Sequence, residues 1–143
     1  DKRVFDLCAA PGGKTLQLAA MGANVLAVDR SSKRLKRLER NLDRMGLRAG
    51  VAVADITGWT APDRPDAILL DPPCTATGTI RRHPDILHAK GIGDLNKLTT
   101  LQAKLLAKAA GMLQPGGRLG SCTCSQKHKS PARWPSCRLN AIR

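Results

Sequence analysis

The chain contains no tyrosine, one phenylalanine and two tryptophans. Proteins that grip single-stranded nucleic acid by stacking need exposed aromatic rings, so a base-stacking platform is not expected. Acidic residues are also scarce, 11 against 24 lysines and arginines, which leaves a net charge of +13. An excess of that size points to a polyanionic partner. No apolar run is long enough to cross a bilayer, and Asp1-Lys2-Arg3 opens directly onto an apolar strand with no signal-peptide pattern. The expectation is a cytoplasmic protein with no membrane partner, in a reducing compartment where Cys8, Cys74, Cys122, Cys124 and Cys137 stay free thiols. There is no C-x-x-C pair. Cys122 and Cys124 form only a C-x-C without a second ligand pair, so no metal is expected.

What is present reads as one α/β domain. Val4–Leu7, Asn24–Val28, Val51–Ala54, Ala67–Leu70 and Arg118–Thr123 read as strands. Helices are expected from Lys14 to Met21, from the N-cap candidates Ser31 and Ser32 to Met45, and from Asp94 to Leu113. The second of these is strongly basic. Arg30, Lys33, Arg34, Lys36, Arg37, Arg40, Arg44 and Arg48 are opposed only by Glu39 and Asp43. Such a run is either a solvated helix face or a direct contact with RNA. Strands alternating with helices imply a mostly parallel sheet with right-handed crossovers. Ligands on such sheets sit beyond the carboxyl ends of the strands. Cys8, Asp29, Asp55, Asp71 and Cys124 all fall at or just past strand ends.

The first loop, Cys8-Ala9-Ala10-Pro11-Gly12-Gly13-Lys14-Thr15, brings backbone close to a ligand and opens a helix. A Walker A pattern would need glycine where Cys8 stands, and G-x-G-x-x-G is absent. Asp29 is placed to accept both hydroxyls of a ribose, and Asp55 the amino group of an adenine, which together describe an adenosine slot. Asp71-Pro72-Pro73-Cys74 stiffens the chain and aims a carboxylate and a thiol at the same pocket. Amino-group methyltransferases tend to carry an aromatic residue after Asp-Pro-Pro; here a cysteine stands there. Cys124 adds a thiol after the neighbouring strand. Two thiols beside a methyl donor suit one reaction. A thiolate adds to carbon 6 of cytosine, carbon 5 becomes nucleophilic and takes a methyl group, and loss of the carbon-5 proton and the thiol restores the ring.

These residues resemble the RNA 5-methylcytosine methyltransferases. The matching stretches are Asp6 to Thr15, Asp71-Pro72-Pro73-Cys74-Thr75-Ala76-Thr77-Gly78, Arg81-Arg82-His83-Pro84-Asp85-Ile86 and Thr123-Cys124-Ser125, and they span residues 1–125. The Arg-Arg-His-Pro-Asp stretch is similar to the ribosomal RNA branch. The resemblance implies a Rossmann-like S-adenosylmethionine-dependent methyltransferase fold and an RNA substrate. It implies Cys124 as nucleophile, Cys74 as the residue that releases product, Asp71 as the acid contacting the cytosine, and Lys14 as a cation beside them. It assigns Cys8, Ala9, Ala10, Pro11, Gly12, Gly13 and Lys14, with Asp29, Asp55 and Asp71, to the cofactor S-adenosylmethionine.

The chain also departs from the family. Where the family carries an aromatic residue after His-Pro-Asp, His88 stands, and the fifth strand holds Gly120-Ser121 in place of an apolar-aromatic run. After Ser125 the expected acidic segment is replaced by Gln126-Lys127-His128-Lys129 and a stretch with five basic residues and no acidic one. The division expected is a catalytic core over 1–125 and a disordered basic tail over 126–143, either divergent or read in a shifted frame. In the second case the C-terminal edge strands are missing and an open edge lies beside Cys124. The alternatives in function are an inactive fragment with residual cofactor or RNA binding, and a methyltransferase acting on DNA or an amino group.

Overall fold

In a computed structural model of the chain, residues 1–73, 92–122 and 140–142 are described. Cys74, the Arg81–Ile86 stretch, Cys124 and most of the basic tail lie outside them. The elements are β1 (Arg3–Leu7), α1 (Gly13–Ala20), β2 (Asn24–Asp29), α2 (Ser32–Met45), β3 (Gly50–Val53), β4 (Ala67–Leu70), α3 (Ile92–Met112), β5 (Arg118–Ser121) and β6 (Asn140–Ile142). They form one sheet in the order β3-β2-β1-β4-β5-β6. The first five strands are parallel, as the alternation of strands and helices predicts.

The sheet buries a separate apolar layer on each face. On one, Phe5, Leu7, Ile68, Leu70 and Leu119 pack against Leu105, Ala109 and Met112 of α3. On the other, Ala9 and Ala27 pack against Leu35, Leu38 and Leu42 of α2. Leu35, Leu38 and Leu42 recur at the three-to-four spacing of one helix face, so a helix that is otherwise charged still docks firmly. Ser31 caps it, its hydroxyl accepting from the Arg34 N–H at 3.3 Å. Gly46 ends it at φ 64°. The Gly46 N–H then donates to Asp43 O at 3.1 Å and the Leu47 N–H to Leu42 O at 3.0 Å, the paired bonds of a Schellman ending.

Two features differ from the sequence reading. Asn140–Ile142, within the stretch expected to be a disordered tail, pairs antiparallel with β5, with Gly120 opposite Ala141. The β5 edge, which a shifted frame was expected to leave open, is paired with β6. The three residues contain no proline, unlike the segment holding Pro131 and Pro135, so they can join a ladder. Cys122, fully buried past the end of β5, is disulfide-bonded, whereas all five thiols were expected to be free. Cys8 is free. Among the described residues no helix is long and apolar enough to cross a membrane.

Candidate cofactor and active site

The chain runs outward from β1 through β2 to β3, then returns past β1 to β4. The strand order thus reverses between β1 and β4, and the crevice beyond such a switch point is where open α/β sheets bind ligands. A cleft of about 450 Å³ opens there, within the size range of small-molecule sites. Cys8, Ala10, Pro11, Asp29, Arg30, Arg34, Asp55 and Asp71 line it, with Ile56, Pro72, Pro73, Leu101 and Leu105 as its apolar wall.

The turn after β1 is built by backbone constraint. Cys8 adopts φ 62°, a left-handed conformation that non-glycine residues avoid. That reversal lets the Ala9 N–H donate to Val28 O at 3.1 Å and the Ala10 N–H to Asp29 Oδ2 at 3.1 Å. The other Asp29 oxygen accepts from the Ser31 N–H at 2.9 Å. Asp29, only 4% exposed, therefore ties the β1 turn to the start of α2. Arg34 donates to Ala10 O at 3.0 Å and braces the same turn from α2. Gly12, at φ 106°, sets the entry to α1, which no side chain caps. The exposed N–H groups and positive end of that helix favour an anionic group nearby.

Charge is distributed unevenly around the cleft. Lys14 pairs with Asp71, both side chains about one-third exposed. Asp55 is exposed, and hydrogen bonds from the hydroxyl and N–H of Thr57 hold its carboxyl below the usual range. Burial pushes the Cys8 thiol up to about 12, reinforced by the Asp29, Asp71 and Asp6 carboxylates. Cys8 is consequently a neutral wall of the cleft and no nucleophile. Asp6, 1% exposed, lies beneath the floor. Burial raises its carboxyl to about 6, although a 2.6 Å hydrogen bond from Thr15 and the charge of Lys14 act in the opposite direction. Among the described residues its Oδ1 has no hydrogen-bond partner.

Of the residues expected at the cofactor, Cys8, Ala10, Pro11, Asp29, Asp55 and Asp71 line the cleft, whereas Ala9, Gly12, Gly13 and Lys14 do not. Ala9 is buried in the α2 layer, and Gly12 and Gly13 form the helix entry. Lys14 donates to Asp71, which does line the cleft. Cys74 and Cys124, expected to carry the chemistry, lie outside the described residues. Sequence reasoning did not assign Asp6, Arg34 or the apolar wall to the site. A carboxylate inside the apolar run Val4-Phe5-Asp6-Leu7 was a readable signal for the first. Arg34 was hidden among many cations, and Leu101 and Leu105 looked like ordinary helix core.

A family model for 16S rRNA methyltransferase RsmB/F matches residues 1–132. The chain belongs to this family. The match runs seven residues past Ser125, where the resemblance read from sequence ends. Ribosomal RNA small subunit methyltransferase B of Klebsiella pneumoniae is 46% identical over 129 residues, covering 87% of this chain and 30% of that relative. The chain thus spans about a third of the length of the curated relatives it matches. NSun6 from Pyrococcus horikoshii, solved with SFG, superposes with a TM-score of 0.81 at 30% identity, over 89% of this chain and 34% of that one. An S-adenosylmethionine-dependent methyltransferase from Clostridium acetobutylicum shares the fold alone, with a TM-score of 0.59 at 22% identity over 86% of this chain and 43% of that one. The fold is the Rossmann-like fold of S-adenosylmethionine-dependent methyltransferases. The donor set of the cleft suits that molecule. Carboxylates face where hydroxyls and amines need acceptors, an apolar wall suits an adenine, and an uncapped helix end suits a carboxylate.

Proposed function

We propose that this chain is the catalytic core, over residues 1–125, of an enzyme that methylates carbon 5 of cytosine in ribosomal RNA. The observation that supports this most strongly is the end of β4. Asp71 lines the cofactor cleft in a salt bridge with Lys14, and Pro72 and Pro73 lead from it directly to Cys74. A thiol in that place suits ring-carbon chemistry better than amino-group methylation, which uses an aromatic clamp.

In this reading S-adenosylmethionine supplies an electrophilic methyl group. Asp29 accepts from its ribose hydroxyls, and Asp55, held ionised by Thr57, accepts from the adenine amino group. Asp71 contacts the cytosine ring, its charge balanced by Lys14. Cys124 adds as a thiolate to carbon 6, forming a sulfur–carbon bond and making carbon 5 nucleophilic. After the methyl group is transferred, a base takes the carbon-5 proton, the electrons of that bond restore the 5,6 double bond, and the sulfur–carbon bond breaks with Cys74 assisting so that the Cys124 thiolate departs. A ribosomal RNA substrate places this work in the cytoplasm.

The two cysteines separate by experiment. Cys124→Ser should reduce methyl transfer by at least the 10²-fold typical of a lost nucleophile or base. Cys74→Ser should accumulate a covalent protein–RNA adduct that survives denaturing electrophoresis. An adduct trapped by Cys124→Ser and not by Cys74→Ser would reverse the two roles. Cofactor binding with no turnover in the unaltered chain would favour a fragment that binds without catalysis.

A further inference from the structure

The face of α2 that points away from the sheet carries charge of one sign. At 100° per residue, Lys33, Lys36, Arg37, Arg40 and Arg44 fall within a ~100° arc. Leu35, Leu38 and Leu42 occupy the opposite side, each no more than 4% exposed. All five cations are exposed. The ion pairs among the described residues are Arg3–Asp63 and Lys14–Asp71, so none of the five is neutralised. Glu39 and Asp43 stand at the margin of the arc and pair with neither neighbour. A face designed only for solubility alternates its signs. Here Lys33 and Arg37, Lys36 and Arg40, and Arg40 and Arg44 are each four residues apart, a spacing at which like charges destabilise a helix.

We infer that this stripe is a docking track for the phosphate backbone of RNA flanking the target nucleotide. The inference rests on RNA being the substrate and extends it to a surface outside the cofactor cleft. The stripe from Lys33 to Arg44 is about 16 Å long at 1.5 Å per residue, enough to follow several consecutive phosphates. It begins at Lys33, next in sequence to Arg34 and three residues from Arg30, both of which line the cleft, so a strand held on it is continuous with the site. The contacts are to phosphate and not to bases. Among the described residues, Phe5 is fully buried and the half-buried Trp59 packs against it with ring centroids 5.7 Å apart, so no aromatic ring stands fully exposed for stacking. A membrane is the wrong partner. An interfacial helix inserts its apolar face, and the apolar face of α2 is already spent on the core.

The test is Lys33→Gln/Arg37→Gln/Arg40→Gln/Arg44→Gln in the full chain, leaving Arg34 unchanged because it lines the cleft. Binding to two labelled RNAs of unrelated sequence is measured by anisotropy between about 50 and 200 mM salt. Each lost phosphate contact lowers the slope of log K against log salt by about 0.7 for single strands, so the slope should fall by about 3. Both RNAs should lose affinity equally, and S-adenosylmethionine affinity by calorimetry should not move. Glu39→Gln/Asp43→Asn should tighten RNA binding at low salt, which keeps the inference testable if the fourfold variant does not fold. An unchanged slope, a loss confined to one RNA, or tighter binding of the unaltered chain to phosphatidylserine vesicles than to RNA would each overturn it. Because no methyl transfer is read, failure of the cytosine assignment would leave these outcomes intact.

Discussion

Asp6 couples the stability of the chain to pH. It is buried inside β1 with one oxygen held by Thr15 and the other without a partner among the described residues. Its native value of about 6 stands above the ordinary 3.8, chiefly through burial. Between those values the native state binds more protons than the unfolded chain, so stability falls as pH rises. The contribution is fully present below about pH 4 and lost on passing about pH 6. A gap of about two pH units corresponds to a ceiling of about 3 kcal/mol. Asp6→Asn cannot titrate, so the difference in unfolding free energy between it and the unaltered chain should shift by up to about 3 kcal/mol between pH 4 and pH 7. Denaturant titrations at several pH values read it directly. Parallel profiles would mean that Asp6 does not change charge on folding. The residue stood in the matched motif, yet burial, which sets its behaviour, is a property of three dimensions that a single sequence does not print.

The elements themselves were largely legible. Ser31 and Gly46 bound α2 where a capping hydroxyl and a terminal glycine predict. β1, β2 and β4 are short, mostly apolar runs ended by polar or turn residues, β5 follows the Pro115-Gly116-Gly117 turn, and each starts or stops within a residue or two of expectation. What stayed hidden is why a given glycine is there. At Gly12 a Cβ would stand 1.9 Å from Leu38 Cδ1 and the backbone is at φ 106°. At Gly46 φ is 64° and a Cβ would meet open space. Gly46→Ala should therefore cost about 1–2 kcal/mol, the left-handed penalty alone. Gly12→Ala adds an overpacking cost of about 1–3 kcal/mol where α1 meets α2. Thermal unfolding should show the larger drop in Tm for Gly12→Ala. Only that variant should also weaken S-adenosylmethionine binding, because Gly12 sets the turn that presents Ala10 and Pro11 to the cleft. Equal drops would mean that Leu38 moves aside without cost.

At the scale of the molecule, alternating strands and helices were enough to infer the parallel sheet and the rim where Cys8, Asp29, Asp55 and Asp71 converge. The edge of that sheet was not legible. Three residues with no distinctive pattern, Asn140-Ala141-Ile142, form β6, because a strand is specified there by the neighbour it pairs with and not by its own periodicity. β5 pairs with β4 on one side, so without β6 its other side would present unpaired N–H and C=O groups, which recruit further chains. N–H groups of successive strand residues point to opposite edges, so one of Ala141 and Ile142 directs its N–H towards β5 and the other away from it. Proline removes the N–H and is tolerated only where that group faces away from the ladder. Ala141→Pro and Ile142→Pro should therefore differ. One should lower Tm and raise light scattering on standing at high protein concentration, and the other should stay near the unaltered chain in both. If neither changes, pairing of β6 contributes nothing to the closed edge. If both destabilise equally, the alternation of N–H groups along the ladder does not govern the segment's contribution.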